Sequence, residues 1–173
     1  VTVSLSGDGG DELFGGYTFR YKKFLSLTTK NSSPIVKVKA YLQCHERDWV
    51  EDQIDIFGKK LAFNWNHIYK QFLPYFDNPL SQLSQVFLAD FNGKLLYNWI
   101  PLNTSFHNYF GVKPVTPLLS KETIHHTTHL PINLKYNSKT DTGKLLLRKI
   151  IHKYSLDKLL IKKKQGFSVD TMN

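Results

Sequence analysis

The sequence predicts a mostly α-helical chain entered through one short N-terminal strand, and three observations carry that prediction. Val1-Thr2-Val3-Ser4-Leu5 alternates apolar and small polar residues, with β-branched side chains at the start, and reads as a strand over residues 1–6. From Asp11 onward, apolar residues recur at helical spacing through most of the chain. No other segment reads cleanly as a strand, so the strand at 1–6 is expected to stand without a pairing partner.

The strand runs into Ser6-Gly7-Asp8-Gly9-Gly10-Asp11-Glu12. Gly7, Gly9 and Gly10 form a turn that tolerates positive φ and leaves backbone N–H groups uncovered. Asp11 and Glu12 then fall in the first turn of a helix, where carboxylates suit the dipole. Bare N–H groups can hold phosphate, and Asp8 and Asp11 can hold Mg²⁺ between themselves and phosphate oxygens. An ordinary strand-to-helix turn with solvated acids is the competing reading.

Three standard motifs fail at this turn. A dinucleotide fingerprint counted from Gly7-x-Gly9 would need Gly where Glu12 stands. A P-loop would end in Gly-Lys-Ser/Thr, whereas Gly58, Gly93 and Gly143 are followed by Lys-Lys, Lys-Leu and Lys-Leu. A calcium loop counted from Asp8 would meet Gly10, Glu12 and Phe19 at its third, fifth and twelfth places.

The helix from Asp11 reaches about Leu27 through Leu13, Phe14, Tyr17, Tyr21, Phe24 and Leu25. Gly15-Gly16 inside it costs stability and implies close packing or room for a ligand. After a polar break at residues 28–34, a second helix is expected from Ile35 to Trp49, with Val36, Val38, Ala40, Tyr41 and Leu42 on its apolar side. Residues 51–58 fit a short helix closed by Gly58. Residues 62–76 are dense in aromatic rings, which serve core packing more often than stacking on a base. Pro74 and Asp77-Asn78-Pro79 mark a turn. A helix is predicted over Ser81–Trp99 and is ended by Pro101.

Ser120 can cap a helix with Thr123 in the place of the capping-box acid, and that helix stops near His129, before Pro131. His125 and His129 have the i, i+4 spacing of zinc ligands, but His126 stands where the glutamate of that motif belongs, so surface or packed histidines are the better reading. Residues 134–142 form a polar loop. Gly143-Lys144 opens another helix, and Leu156–Ile161 follows as a short segment.

At 173 residues, with 41% hydrophobic and 14% aromatic content, the chain holds one modest core. No apolar run has the length of a membrane span. The lone Cys44 cannot form an internal disulfide and suits a reducing, cytoplasmic setting. The formal charge of +9 invites a nucleic-acid reading, but the lysines are spread out and the one dense cluster is Lys162-Lys163-Lys164. No zinc-finger, RNA-recognition or basic-zipper pattern accompanies them, and a solvated basic surface, or a site for a polyanion such as ATP or pyrophosphate, explains the charge more simply.

Ser6-Gly7-Asp8-Gly9-Gly10-Asp11-Glu12-Leu13-Phe14-Gly15-Gly16-Tyr17 resembles the second nucleotide-site motif of the glutamine-hydrolysing asparagine synthetases over its whole length. Lys144–Arg148 resembles the family's Lys-x-x-Leu-Arg, and Lys162–Phe167 its Arg/Lys-x-Lys-x-Gly-Phe. Pro117-Leu118-Leu119 keeps the core of Pro-Phe-Leu, but the Glu, Arg and Asp around it fall on Lys113, Val115 and Ser120.

The resemblance implies an α/β nucleotide-binding fold of pyrophosphatase type in the full enzyme, of which residues 1–173 are the C-terminal portion of the synthetase domain. The glutaminase domain and the Ser-Gly-Gly-x-Asp-Ser nucleotide loop lie outside this sequence, and the piece alone is expected to be inactive. The implied chemistry is activation of aspartate, or another carboxylate, by Mg-ATP as an acyl-adenylate, followed by attack of glutamine-derived ammonia. On that resemblance Asp8 is the candidate base and Asp11 the Mg²⁺ carboxylate. Ser6, Gly7, Gly9 and Gly10 line the nucleotide and pyrophosphate pocket, and Lys164 stabilises charge at the reacting centre. Small molecules, not nucleic acid or membrane, are the expected partners, and the full enzyme is compatible with a homo-oligomer. A catalytically inactive homologue acting as a basic binding module is the alternative of a different class.

Overall fold

The computed structural model describes residues 1–45 and 53–160, and the expected Lys162–Phe167 segment, Lys164 included, lies outside them. Strand β1 covers Val3–Leu5 and leads through the glycine turn into α1 (Gly10–Phe14) and α2 (Thr18–Leu27). The single helix expected over 11–27 is thus two, because Gly15 adopts φ 80° and ends α1. Gly15 also lies against Phe87 and the Lys135 carbonyl, where a Cβ would come within 3.0 and 3.3 Å.

Next come α3 (Pro34–Gln43), α4 (Gln53–Leu61), α5 (Trp65–Phe76) and α6 (Gln82–Ala89). Pro34 opens α3, where its missing N–H is harmless. Gly58, at φ 67° and ψ 179°, breaks α4 into two helical pieces, so the first ends at the glycine as expected and a second follows to Leu61; Pro74 lies inside the last turns of α5. The Asn64 and Ser81 side chains cap α5 and α6.

The helix predicted to end at Pro101 does not end there. After α6 the chain winds as a π-helix over Asp90–Trp99 and passes directly into α7 (Ile100–Tyr109). The Ile100 N–H still reaches the Leu95 carbonyl. Pro101 falls in the first turn of α7, the place where a helix tolerates it.

The expectation of an unpartnered strand is also corrected. Lys113–Val115 forms β2, parallel to β1, with Val3, Ser4 and Leu5 opposite Lys113, Pro114 and Val115. The Ser6 N–H donates to the Val115 carbonyl at 3.0 Å, and the Lys113 N–H to that of Thr2 at 2.9 Å. Proline inside a three-residue run disguises the strand in the sequence, yet an edge strand accepts it. Residues 117–119 then make a 3₁₀ turn, followed by α8 (Lys121–Thr128), with Ser120 as the expected cap accepting from the Thr123 N–H. A 3₁₀ turn at Ile132–Leu134, an Asn137–Thr142 bridge, α9 (Leu145–Lys153) and a 3₁₀ turn at Asp157–Leu159 complete the order.

α3 packs on α5, α5 on α6, and α2 on both α3 and α6. Their core is aromatic. Tyr21 stacks on Phe87 at 5.1 Å between ring centres and meets Tyr136 edge-on at the same distance. Phe76 joins Phe24 and Tyr41 at 5.9 and 5.4 Å. Of the rings of residues 62–76, Phe76 is buried in this core, and Trp65, Tyr69, Phe72 and Tyr75 pack against it partly buried. No described helix is long and apolar enough to cross a membrane.

Candidate functional site

The parallel pairing of β1 with β2 brings Pro117-Leu118-Leu119 over the glycine turn. Gly9 sits at φ 83°, where side chains are strained, and a Cβ there would overlap Leu119. A Cβ on Gly10 would stand 3.2 Å from Leu118 and 3.7 Å from Lys144 Nζ, whereas Gly7 faces open space. The turn is thus packed from one side by two leucines and bare at Gly7.

Asp8 is gripped by three neutral donors. Ser6 Oγ and Asn103 Nδ2 donate to Oδ2 at 2.6 and 2.7 Å, and Trp99 Nε1 donates to Oδ1 at 2.8 Å. Trp99 closes the π-helix and Asn103 lies four residues on, in α7. The unbroken passage from one into the other puts both on the face turned to Asp8. Sequence reasoning missed this pair because ending a helix at Pro101 separates them. The helical i, i+4 spacing was the available signal.

Asp11 meets Lys144, whose Nζ stands 2.8 Å from Asp11 Oδ1. Lys144 is held at the start of α9 with φ 55°, its N–H donating to the Phe14 carbonyl. Gly143 makes that approach feasible, since a Cβ there would be 2.0 Å from the Gly15 carbonyl oxygen. Gly16 is equally constrained, because a Cβ would overlap Asp11 and come 2.6 Å from Lys144 Cε. The Lys-x-x-Leu-Arg segment, which had no role from sequence alone, therefore delivers a cation to the turn.

Glu12 points the other way. It is buried and accepts from Tyr17 Oη at 2.5 Å, while the Arg20 guanidinium lies 4.2 Å from the centre of the Tyr17 ring. Burial first, and then the Glu12 charge, push the Tyr17 hydroxyl far above its ordinary range. Behind it lies Asp90, fully buried, with Tyr41 Oη donating at 2.8 Å and His45 Nε2 standing 3.8 Å away. Burial raises Asp90 to about 7, against the lowering influence of Tyr41 and Arg20.

Ser6, Gly7, Asp8, Gly9, Gly10 and Asp11 are thus brought together on one turn, and Lys164 lies outside the described residues. Among the described residues no three His, Cys, Asp or Glu side chains gather as a metal centre. One carboxylate in a glycine cradle nonetheless suits Mg²⁺, which is commonly held by one or two carboxylates together with substrate phosphates. His125 and His129 are adjacent, but His129 Nδ1 bonds the His125 carbonyl at 2.6 Å. Lys113, at the place of the family's Glu, is exposed on β2 opposite Val3.

No curated protein and no solved structure matches the chain. The Asparagine synthase family does match, over residues 1–173. Its members use ATP, and the family implies an adenine-nucleotide α-hydrolase-like fold. With the glycine-rich acidic turn, the parallel strand pair beside it and a match over the whole length, the chain belongs to the Asparagine synthase family.

Proposed function

We propose that this chain forms the carboxylate-activating half of an ATP-dependent amide-forming ligase, with aspartate as the first candidate acceptor. The observation that carries the reading is the juxtaposition at one turn of Asp8, Asp11 and Lys144, beside glycines whose Cβ positions are filled by neighbours. An oxygen of the acceptor carboxylate attacks the α-phosphorus of ATP, and pyrophosphate leaves. Ammonia then attacks the activated carbonyl, and AMP leaves with the carboxylate oxygen.

The chain's residues take distinct parts in this reading. Ser6 and the backbone of Gly7, Gly9 and Gly10 line the nucleotide and pyrophosphate side. Asp11 would hold Mg²⁺, which would supply charge neutralisation for the phosphates. Lys144, already at Asp11, adds a point charge suited to phosphate. Asp8, with its oxygens oriented by Trp99, Asn103 and Ser6, accepts the proton of the attacking amine. Lys164 stabilises the charge on phosphate and carbonyl.

The test is carboxylate-dependent exchange of labelled pyrophosphate into ATP by the full-length protein. Asp11→Asn and Lys164→Ala should each lower exchange at least a hundredfold with folding intact, and Lys163→Ala should lower it less than threefold. Wild-type exchange by Asp11→Asn would refute the reading. A second reading, activation of a carboxylate other than aspartate, is favoured by Lys113, Val115 and Ser120 replacing the family's Glu, Arg and Asp.

A further inference from the structure

Trp99, whose indole N–H bonds Asp8, also lines a cavity of about 640 Å³. Its aromatic wall is made by Tyr41 of α3, Phe63, Trp65 and Phe72 at and within α5, and Trp99. That size is in the range of small-molecule sites. Gly93 of the π-helix forms part of the lining, and a Cβ there would stand 2.9 Å from Phe72, so backbone faces ring at that point. A π-helical stretch is itself uncommon and recurs at functional sites.

The polar handles of the wall are directed elsewhere. Tyr41 Oη donates to Asp90, Trp99 Nε1 donates to Asp8, and His45 Nδ1 bonds the Tyr41 carbonyl at 2.8 Å. The cavity's other polar groups are the Trp65 indole N–H, His45 Nε2, Asn98 and Lys94, whose ammonium lies 4.9 Å from the centre of the Tyr17 ring. An aspartate carries a charged group at each end and would lose solvation here for few hydrogen bonds. A ring would bury its area against several others. Trp99 joins the two places, with its N–H edge on Asp8 and its ring in the cavity wall.

We infer that this cavity is the acceptor pocket and that the carboxylic acid it takes carries an apolar, ring-sized group, with its carboxyl emerging toward Asp8. The inference rests, for the word acceptor, on the second form of the carboxylate-activating reading, in which the acceptor is not aspartate; the binding preference is separable from it. The probe is 3-phenylpropanoate, compared with L-aspartate by calorimetric titration of the full-length protein.

The inference predicts that 3-phenylpropanoate binds at least tenfold more tightly than L-aspartate. Leu102→Glu, at an exposed position lining the cavity, should weaken the probe at least tenfold with unchanged circular dichroism. Ile68→Trp, filling the cavity from α5, should do the same if Leu102→Glu fails to fold. Equal or tighter binding of L-aspartate overturns the inference, as does wild-type probe affinity in a folded variant of either kind. Pyrophosphate exchange separates the two readings. Probe binding that Leu102→Glu abolishes, without exchange for any carboxylate, upholds the pocket and removes the ligase reading. Aspartate-dependent exchange without probe binding removes the pocket and leaves the ligase.

Discussion

Replacing Asp90 by asparagine should stabilise the protein at neutral and alkaline pH, although the side chain is fully buried and hydrogen-bonded. The carboxyl sits at the junction of α6 and the π-helix, with Tyr41, His45, Arg20, Glu12 and Lys94 around it. Burial is the largest influence on it and raises it from 3.8 to about 7. The climb corresponds to about 4 kcal/mol of preference for the protonated form in the folded state. A group raised on folding contributes stability that is fully present below its unfolded value and lost as pH rises through its folded value. The wild type should therefore lose up to about 4 kcal/mol between about pH 4 and 7 from this group alone. The side-chain amide introduced by Asp90→Asn keeps an acceptor for Tyr41 without a charge to bury.

Urea denaturation of wild type and Asp90→Asn, at half-unit steps from about pH 4 to 8, measures the difference. The two should be close in stability at the acid end. The variant should gain steadily and lead by about 2–4 kcal/mol at about pH 8, on the order set by that shift. Lys135, lowered by burial to about 8, acts with the opposite sign and mainly above the window. A difference that stays constant across the range, or a variant less stable at its alkaline end, would refute the reasoning.

Gly143→Ala should destabilise by about 3 kcal/mol, at the upper end for overpacking, because the new methyl would meet the Gly15 carbonyl at 2.0 Å. Equilibrium urea unfolding checks this, and a cost below about 0.5 kcal/mol would show that the contact is relaxed away. Trp99→Phe keeps an aromatic six-membered ring and removes the pyrrole ring with its hydrogen bond to Asp8. It should lower kcat of the full-length protein about tenfold, equivalent to about 1.4 kcal/mol, with the urea midpoint within about 0.3 M, roughly a 0.5 kcal/mol change. An unchanged kcat would separate Trp99 from the orientation of Asp8.

Much of the fold was legible because its signals are local. The alternation of residues 1–5 and the Ser120–Thr123 cap each depend on near neighbours in sequence. The turn that gathers Ser6 to Asp11 was legible for the same reason. What escaped the sequence is set by tertiary context. Pro114 belongs to a strand only because β1 lies beside it, and Pro101 stays within a helix because the preceding π-winding absorbs it. That second feature carries the site, since it aligns Trp99 and Asn103 on Asp8. The Lys144–Asp11 pair was equally hidden, because it depends on Gly143 packing against Gly15, far apart in the chain.

The most direct test of the central claim follows the carboxylate oxygen. The full-length protein is incubated with ATP, Mg²⁺, an ammonia source and an acceptor labelled with ¹⁸O in its carboxylate, and the nucleotide product is analysed by mass spectrometry. Attack of the carboxylate on the α-phosphorus predicts AMP carrying one ¹⁸O for each amide formed, with unlabelled pyrophosphate. Label in inorganic phosphate with ADP as the nucleotide product, or unlabelled AMP alongside amide, would contradict the account.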